Sequence, residues 1–272
     1  MVQSTEKVES ADGTPIVFHT RGDGPPLVIV HGALVTLHTY LDLAERLASQ
    51  YRVVVVERRG YPPSGTGPGP AEFAAQADDL AAVLAAVGEP AFVFGHSAGG
   101  LVALHAVQRD PSLVRRLALY EPPVVYAGPP LRPTLETIRQ QMAEGRPADA
   151  IVEFFTAIVE PTPPRSVLRP LGDALAFRAT GLVADLECLT AMDPDLTPWL
   201  GIDIPTLLLT GEITDPYGTK STELLGATLP DTRTITLAGQ RHHPEDTAAV
   251  ATALREFFGQ ETAPRGSSPA AR

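Results

Sequence analysis

The sequence predicts an α/β fold, a mostly parallel twisted sheet flanked by helices and interrupted by one all-helical insertion. Three observations carry this expectation. Short continuous apolar runs, PLVIVHG (26–32), RVVVVE (52–57), AFVFGHS (91–97), VRRLALYE (114–121) and PTLLLTG (205–211), are the mark of strands buried on both faces. Helical patterns separate them, and such alternation implies a parallel sheet with right-handed crossovers. The alternation stops after Glu121 and resumes at 205, with no convincing strand across 128–200.

Taken in order, residues 6–10 and 14–20 read as strands on either side of Asp12-Gly13, a two-residue hairpin signal. After the strand 26–32 a helical pattern covers 39–50, then comes the strand 52–57. The helix across 71–87 carries an apolar stripe and ends at Gly88, where a C-cap belongs. Strand 91–97 runs directly into a helix over 98–109, and strand 114–121 is stopped by Pro122-Pro123. Helical stretches at 133–144, 147–159, 165–177 and 178–190 fill the insertion, punctuated by Pro and Gly. A strand at 205–211, a helix at 217–228, a strand at 232–239 and a helix from 246 to 258 complete the sheet. The expected division is a core of 1–122 and 201–260, a helical cap of 123–200, and a disordered polar tail, 261–272.

The chain has 272 residues, which suits one large α/β domain or two small ones. A net charge of -11 argues against nucleic acid or an anionic membrane as partner, because both require a basic footprint. A small-molecule substrate and a monomer or homodimer are expected. The N-terminus lacks the apolar run of a signal peptide and no stretch is long enough to span a bilayer, so the expected location is cytoplasmic. Cys188 is the only cysteine, which excludes an intramolecular disulfide, and its DLECLTAM context reads as a packing position. No metal-ligand spacing such as HExxH occurs, so neither metal nor organic cofactor is expected.

The segment AFVFGHSAGG bears the most information. A buried strand, Gly95-His96-Ser97-Ala98-Gly99, and an immediate helix form the G-x-S-x-G nucleophile elbow in its required setting. A serine on so sharp a turn needs small residues two before and two after it, which Gly95 and Gly99 supply. The turn lifts the Ser97 hydroxyl clear of the sheet and puts the Ala98 N–H at a helix N-terminus, where a developing oxyanion is favoured. At the end of the earlier strand, His31-Gly32 lets the loop fold back so that the Ala33 amide faces the same hydroxyl, with His31 bracing the loop. A general base near neutrality is offered by LAGQRHHPED, where His242 and His243 compete. His19, His38, His96 and His105 read as packing or surface residues.

These segments, in this order, resemble the α/β-hydrolase superfamily over roughly residues 5–258. The resemblance implies the α/β-hydrolase fold. Gly239-Gln240-Arg241-His242 is similar to that family's Gly-x-Gly-His except at Arg241, which selects His242 over His243. ERRGYPPSG (57–65) resembles its DxRGxGxS loop, with Glu57 for Asp and Pro63 for the second Gly, and is taken as structural. In the family's common pattern the acid lies three positions past a glycine after the penultimate strand, but three past Gly211 stands Thr214. Asp215 is one residue late. The fold's other acid position, at the end of the strand after the elbow helix, holds Glu121, an arrangement similar to some haloalkane dehalogenases and fungal lactone hydrolases of the superfamily. Glu121 is therefore the preferred acid, Asp215 the alternative and Glu212 a third candidate.

The expected activity is hydrolysis of an ester or lactone of a small apolar substrate, with Ser97 as nucleophile and His242 as base. Rivals on the same triad are a cofactor-free haloperoxidase or perhydrolase and a carbon–carbon hydrolase or lyase. A non-catalytic small-ligand-binding protein is the rival of another class.

Overall fold

Five of the strands are built mostly from Val, Leu, Ile, Ala and Phe, so they are stable only when covered on both faces. The computed structural model describes residues 4–35, 37–243 and 245–259, and covers them in that way. Eight strands form one sheet in the order β1-β2-β4-β3-β5-β6-β7-β8. They are β1 (Ser4–Glu9), β2 (Pro15–Arg21), β3 (Pro26–Val30), β4 (Arg52–Glu57), β5 (Ala91–His96), β6 (Val114–Tyr120), β7 (Thr206–Gly211) and β8 (Thr232–Leu237). The first two are antiparallel to their neighbours, and every pairing from β4 to β8 is parallel. The tail 261–272 lies outside the described residues.

The helices are α1 (Leu37–Leu47), α2 (Phe73–Val87), α3 (Ala98–Arg109), α4 (Arg132–Ala143), α5 (Pro147–Ile158), α6 (Arg165–Leu175), α7 (Ala179–Ala191), α8 (Pro216–Thr228) and α9 (Thr247–Phe258). One apolar cluster fills the side of the sheet covered by α2 and α3, taking in Val28, Val93, Leu101, Leu104 and Leu117. A second fills the opposite side under α1 and α9, with Ile29, Phe94, Tyr120, Leu254 and Phe258. Alternate residues of the central strands thus serve opposite clusters, as a strand's period of two requires. Among the described residues no helix is long and apolar enough to cross a membrane.

Helix α2 ends at Gly88 in the left-handed conformation, φ 86°, as its position predicts. The hairpin between β1 and β2 is longer than the two-residue turn read from Asp12-Gly13. Gly13 N–H donates to Ser10 O and Ser10 N–H donates to Thr14 O, with Gly13 at φ 81°. Gly13 is therefore the left-handed last residue of a three-residue loop, 11–13, rather than the second centre of a two-residue one. Helices α4–α7 all fall between β6 and β7, as the break in alternation implies, and α7 closes over the loop that follows β4. A Cβ added at Gly181 in α7 would fall 2.4 Å from the Tyr61 ring, so this contact is backbone on aromatic.

Candidate active site

Strand β5 delivers Ser97 at the carboxyl end of the sheet, where ligands bind in open α/β sheets. Ser97 has φ 51° and ψ -126°, an uncommon conformation for a residue with a side chain, and α3 starts at the next residue. The glycines around it are required by contact. A Cβ at Gly95 would lie 2.6 Å from the Gly100 Cα, and one at Gly99 only 2.2 Å from the Val30 carbonyl oxygen. Gly32 is similarly confined, its notional Cβ lying 3.0 Å from the Ser97 Cβ. Ala33 follows Gly32 and lines the same cavity as Ser97, and Ala98 lines it from the first turn of α3. An N–H in that first turn has no acceptor within its own helix.

His242 and Glu121 come together although 121 residues apart in sequence, with His242 Nδ1 2.7 Å from Glu121 Oε2. Glu121 follows β6, is 0% exposed and has φ 44°. Its Oε1 accepts from the Thr210 hydroxyl and the Gly211 N–H, both at 2.8 Å, and its Oε2 also accepts from the Thr214 hydroxyl at 2.8 Å. Burial by itself would raise this carboxyl's pKa. The hydrogen bond and charge of His242, together with Gly211 N–H and the Thr210 hydroxyl, outweigh it and hold the group below the usual carboxylate range.

Asp215, the alternative acid, stands elsewhere: it precedes α8 as N-cap residue and its Oδ1 accepts from the Glu160 N–H at 3.3 Å. Glu212 is exposed and accepts from the Gly239 N–H at 2.9 Å. His31 is fully buried and braces two loops, its Nδ1 bonding Gly32 O at 2.7 Å while its Nε2 accepts from the Arg58 N–H at 3.1 Å. Cys188 is buried, its thiol pushed up to about 12 by that burial.

Above Ser97 lies a cavity of about 400 Å³ between the sheet end and the insertion. His242 lines its floor with Ser97, and the walls include Leu101, Phe154, Phe155, Leu182 and Leu186. Among the described residues that line it there is no Lys or Arg, and Asp185 supplies its one carboxylate. That carboxylate is already engaged. Arg58, from the loop after β4, donates through Nη1 and Nη2 to its two oxygens at 2.6 and 2.7 Å, and the Tyr61 hydroxyl donates to it at 2.5 Å. The same Tyr61 oxygen accepts the Leu34 N–H at 3.2 Å, next to Ala33. Sequence reasoning took the loop 57–65 as structural without finding this partner. A buried arginine announces that a carboxylate must be near, but not which one.

Comparison with known proteins agrees with this architecture. The profile described as "Alpha/beta hydrolase family" matches residues 27–253. An alpha/beta hydrolase from Sphaerobacter thermophilus DSM 20745 is 35% identical, covers 93% of this chain and 100% of its own, and superposes with a TM-score of 0.80. A pimeloyl-[acyl-carrier protein] methyl ester esterase of Vibrio atlanticus (strain LGP32) is 28% identical over 257 residues, 87% of this chain and 94% of that protein. The uncharacterized hydrolase YraK of Bacillus subtilis (strain 168) is 32% identical over 113 residues, and that match spans only 42% of its length. With a family match running from β3 into α9, and the sheet order and insertion described above, the chain belongs to the alpha/beta hydrolase family.

Proposed function

We propose that the protein is a serine hydrolase that cleaves a small, neutral, apolar ester or lactone through an acyl-enzyme, with Ser97, His242 and Glu121 as its triad. The 2.7 Å contact between Glu121 Oε2 and His242 Nδ1 carries this reading. With Nδ1 committed to the carboxylate, Nε2 is the nitrogen left to take the Ser97 proton. Ser97 Oγ then attacks the carbonyl carbon, and the Ala33 and Ala98 N–H groups receive the oxyanion. His242 returns the proton to the leaving alcohol. Water activated by the same nitrogen releases the acid. Helices α4–α7 act as the cap.

The cavity supports the substrate class. Its volume of about 400 Å³ lies at the small end of the roughly 300–1,000 Å³ typical of small-molecule pockets. Its walls are apolar, no cation lines it among the described residues, and its carboxylate is held by Arg58, so a charged acid gains nothing there. The esterase name of the Vibrio relative is in keeping with ester chemistry.

The test is the rate of mass increase on incubation with a fluorophosphonate. Wild type should be labelled, Ser97→Ala should not, and Glu121→Gln should slow labelling about a thousandfold or more by leaving the imidazole wrongly oriented. Asp215→Asn should label at close to the wild-type rate. A folded wild type that takes no label rejects the serine-hydrolase reading, and a slow Asp215→Asn beside a fast Glu121→Gln rejects the assignment of the acid.

A further inference from the structure

The loop that carries His242 is neither helix nor strand, and it has arginine at 241 where the family's pattern resembled above has glycine. Its first residues are held by the segment after β7, where Glu212 accepts from the Gly239 N–H and the Ile213 N–H donates to Gln240 O, and the next two carbonyls are held from the ends of two neighbouring strands. His96 Nε2 lies 2.9 Å from the His242 carbonyl oxygen, and the Tyr120 hydroxyl donates to the Arg241 carbonyl oxygen at 2.7 Å. His96 and Tyr120 are register partners at the ends of β5 and β6, with their rings edge to face at 5.6 Å. Each immediately precedes a proposed triad member, His96 before Ser97 and Tyr120 before Glu121.

The partners also assign the state of His96. A carbonyl accepts only, so Nε2 carries the proton and Nδ1 is an acceptor, which receives the Tyr40 hydroxyl at 2.7 Å. Tyr40 Oη in turn accepts the Gly32 N–H at 3.4 Å, at the start of the loop bearing Ala33. His96 is 2% exposed. Burial first, and then the neighbouring His242 and His243, keep its pKa well below that of an ordinary imidazole, so the donor and acceptor ends stay as assigned.

We infer that His96 and Tyr120 form a clamp that positions the loop of the base, a role whose catalytic meaning rests on the serine-hydrolase reading while its geometry does not. Glu121 holds the His242 ring, and the clamp holds the main chain on which that ring is mounted. Two successive carbonyls pinned from rigid strand ends leave the loop little freedom to carry Nε2 away from Ser97. Through Tyr40 the same imidazole ties the base loop to the Gly32–Ala33 loop, so the elements that move the proton and receive the oxyanion share one support. His96 and Tyr120 are positioning residues, and nothing in this role requires them to touch substrate.

The test uses Tyr120→Phe, His96→Gln and His96→Asn in the full chain. Gln places an amide near the position of the imidazole Nε2 and can still donate to His242 O. Asn reaches only the Nδ1 side. Two quantities are read: the saturating rate of fluorophosphonate labelling per titrated active site, and hydrogen exchange of the amides in 239–243. Tyr120→Phe and His96→Asn should label about tenfold more slowly with the half-saturating concentration unchanged, because small displacements of a base are expensive. His96→Gln should recover most of the rate, and loop exchange should rise in the two slow variants alone. Wild-type labelling rates in both of those variants would overturn the clamp. Should wild type take no label, the serine-hydrolase reading fails and the loop amides alone decide: raised exchange in Tyr120→Phe and His96→Asn supports the clamp, and unchanged exchange overturns it.

Discussion

Replacing Asp185 by alanine tests how firmly the insertion is fixed to the sheet. The Arg58 and Asp185 side chains are 3% and 6% exposed and meet through two charge-assisted hydrogen bonds, linking the loop after β4 to α7. Burial alone would make Arg58 easier to deprotonate, but the Asp185 charge and hydrogen bonds raise its pKa above the usual value, so it stays cationic. Removing only the carboxylate leaves that cation buried, with Gln76 Oε1 at 2.8 Å as its remaining side-chain partner. Breaking such a pair from one side costs about 3–5 kcal/mol, which for a domain of this size lowers Tm by roughly 10 °C. Replacing both partners, as in Arg58→Met with Asp185→Leu, removes the stranded charge and should recover much of the loss. It should not recover all of it, since the Tyr61 hydroxyl and Gln76 each lose a partner, at about 1 kcal/mol apiece. Urea denaturation followed by circular dichroism, with the slope checked for constancy, gives all three values on one scale. A loss below about 1 kcal/mol for Asp185→Ala would refute the reasoning, because it would mean that water reaches Arg58 and that α7 is not sealed onto the core.

Two further outcomes follow from the same geometry. His31 and His96 are 0% and 2% exposed, and both pKa values are held well below the usual imidazole value, first by burial. As pH falls below about 6.5 the unfolded chain takes protons that the folded one refuses, so stability drops by about 1.4 kcal/mol per pH unit for each. Glu121 acts in the same direction at lower pH, because its depressed pKa contributes stability that is lost as pH falls through it. Urea midpoints measured from pH 8 to 5 should therefore decline on the acid side, and a flat profile would mean that these histidines are protonated in the fold. Gly99→Ala should abolish fluorophosphonate labelling, with soluble protein much reduced, since its Cβ would stand 2.2 Å from Val30 O. Labelling of Gly99→Ala at even a tenth of the wild-type rate would show that the turn at Ser97 can open to admit a Cβ at this contact.

The parts of the fold legible in the sequence are those written in local patterns. Strand β4 and helix α3 begin and end where the apolar run 52–57 and the helical stretch 98–109 do, because Pro, Gly and charge punctuate them sharply. The hairpin turn is not legible in the same way, because Asp-Gly suits two loop lengths and the choice depends on where Ser10 and Thr14 pair. The turn at Ser97 is legible because its glycines are neighbours in sequence, although only Gly95 is confined locally, by Gly100, while Gly99 is confined by Val30 of a different strand. Pairings such as Arg58 with Asp185, 127 residues apart, leave no local trace. His96 was read as a packing residue for want of a visible partner, and its partners at 40 and 242 are supplied only by the closed sheet.

The proposed acid, Glu121, is where sequence and structure explain one another. The slot three past Gly211 holds Thr214, and its hydroxyl donates to Glu121 Oε2 at 2.8 Å. A carboxylate in that slot would instead face Glu121 at hydrogen-bond distance, and two such groups cannot both stay ionised. In this chain the threonine at the one position is the complement of the glutamate at the other. Gly218 follows the same logic, because a Cβ there would lie 2.6 Å from Glu121 Oε2. Asp215, one residue beyond the slot, is the N-cap residue of α8 without capping it through its side chain, and its Oδ1 instead accepts from the Glu160 N–H. Holding Glu121 at φ 44° costs of order 1–3 kcal/mol for a residue with a side chain. Three donors besides His242, fixed to β7 and the loop after it, make that conformation the one in which a buried carboxylate is satisfied. A carboxylate at the end of β6 is thus accommodated by residues on β7, on the loop behind it and in α8.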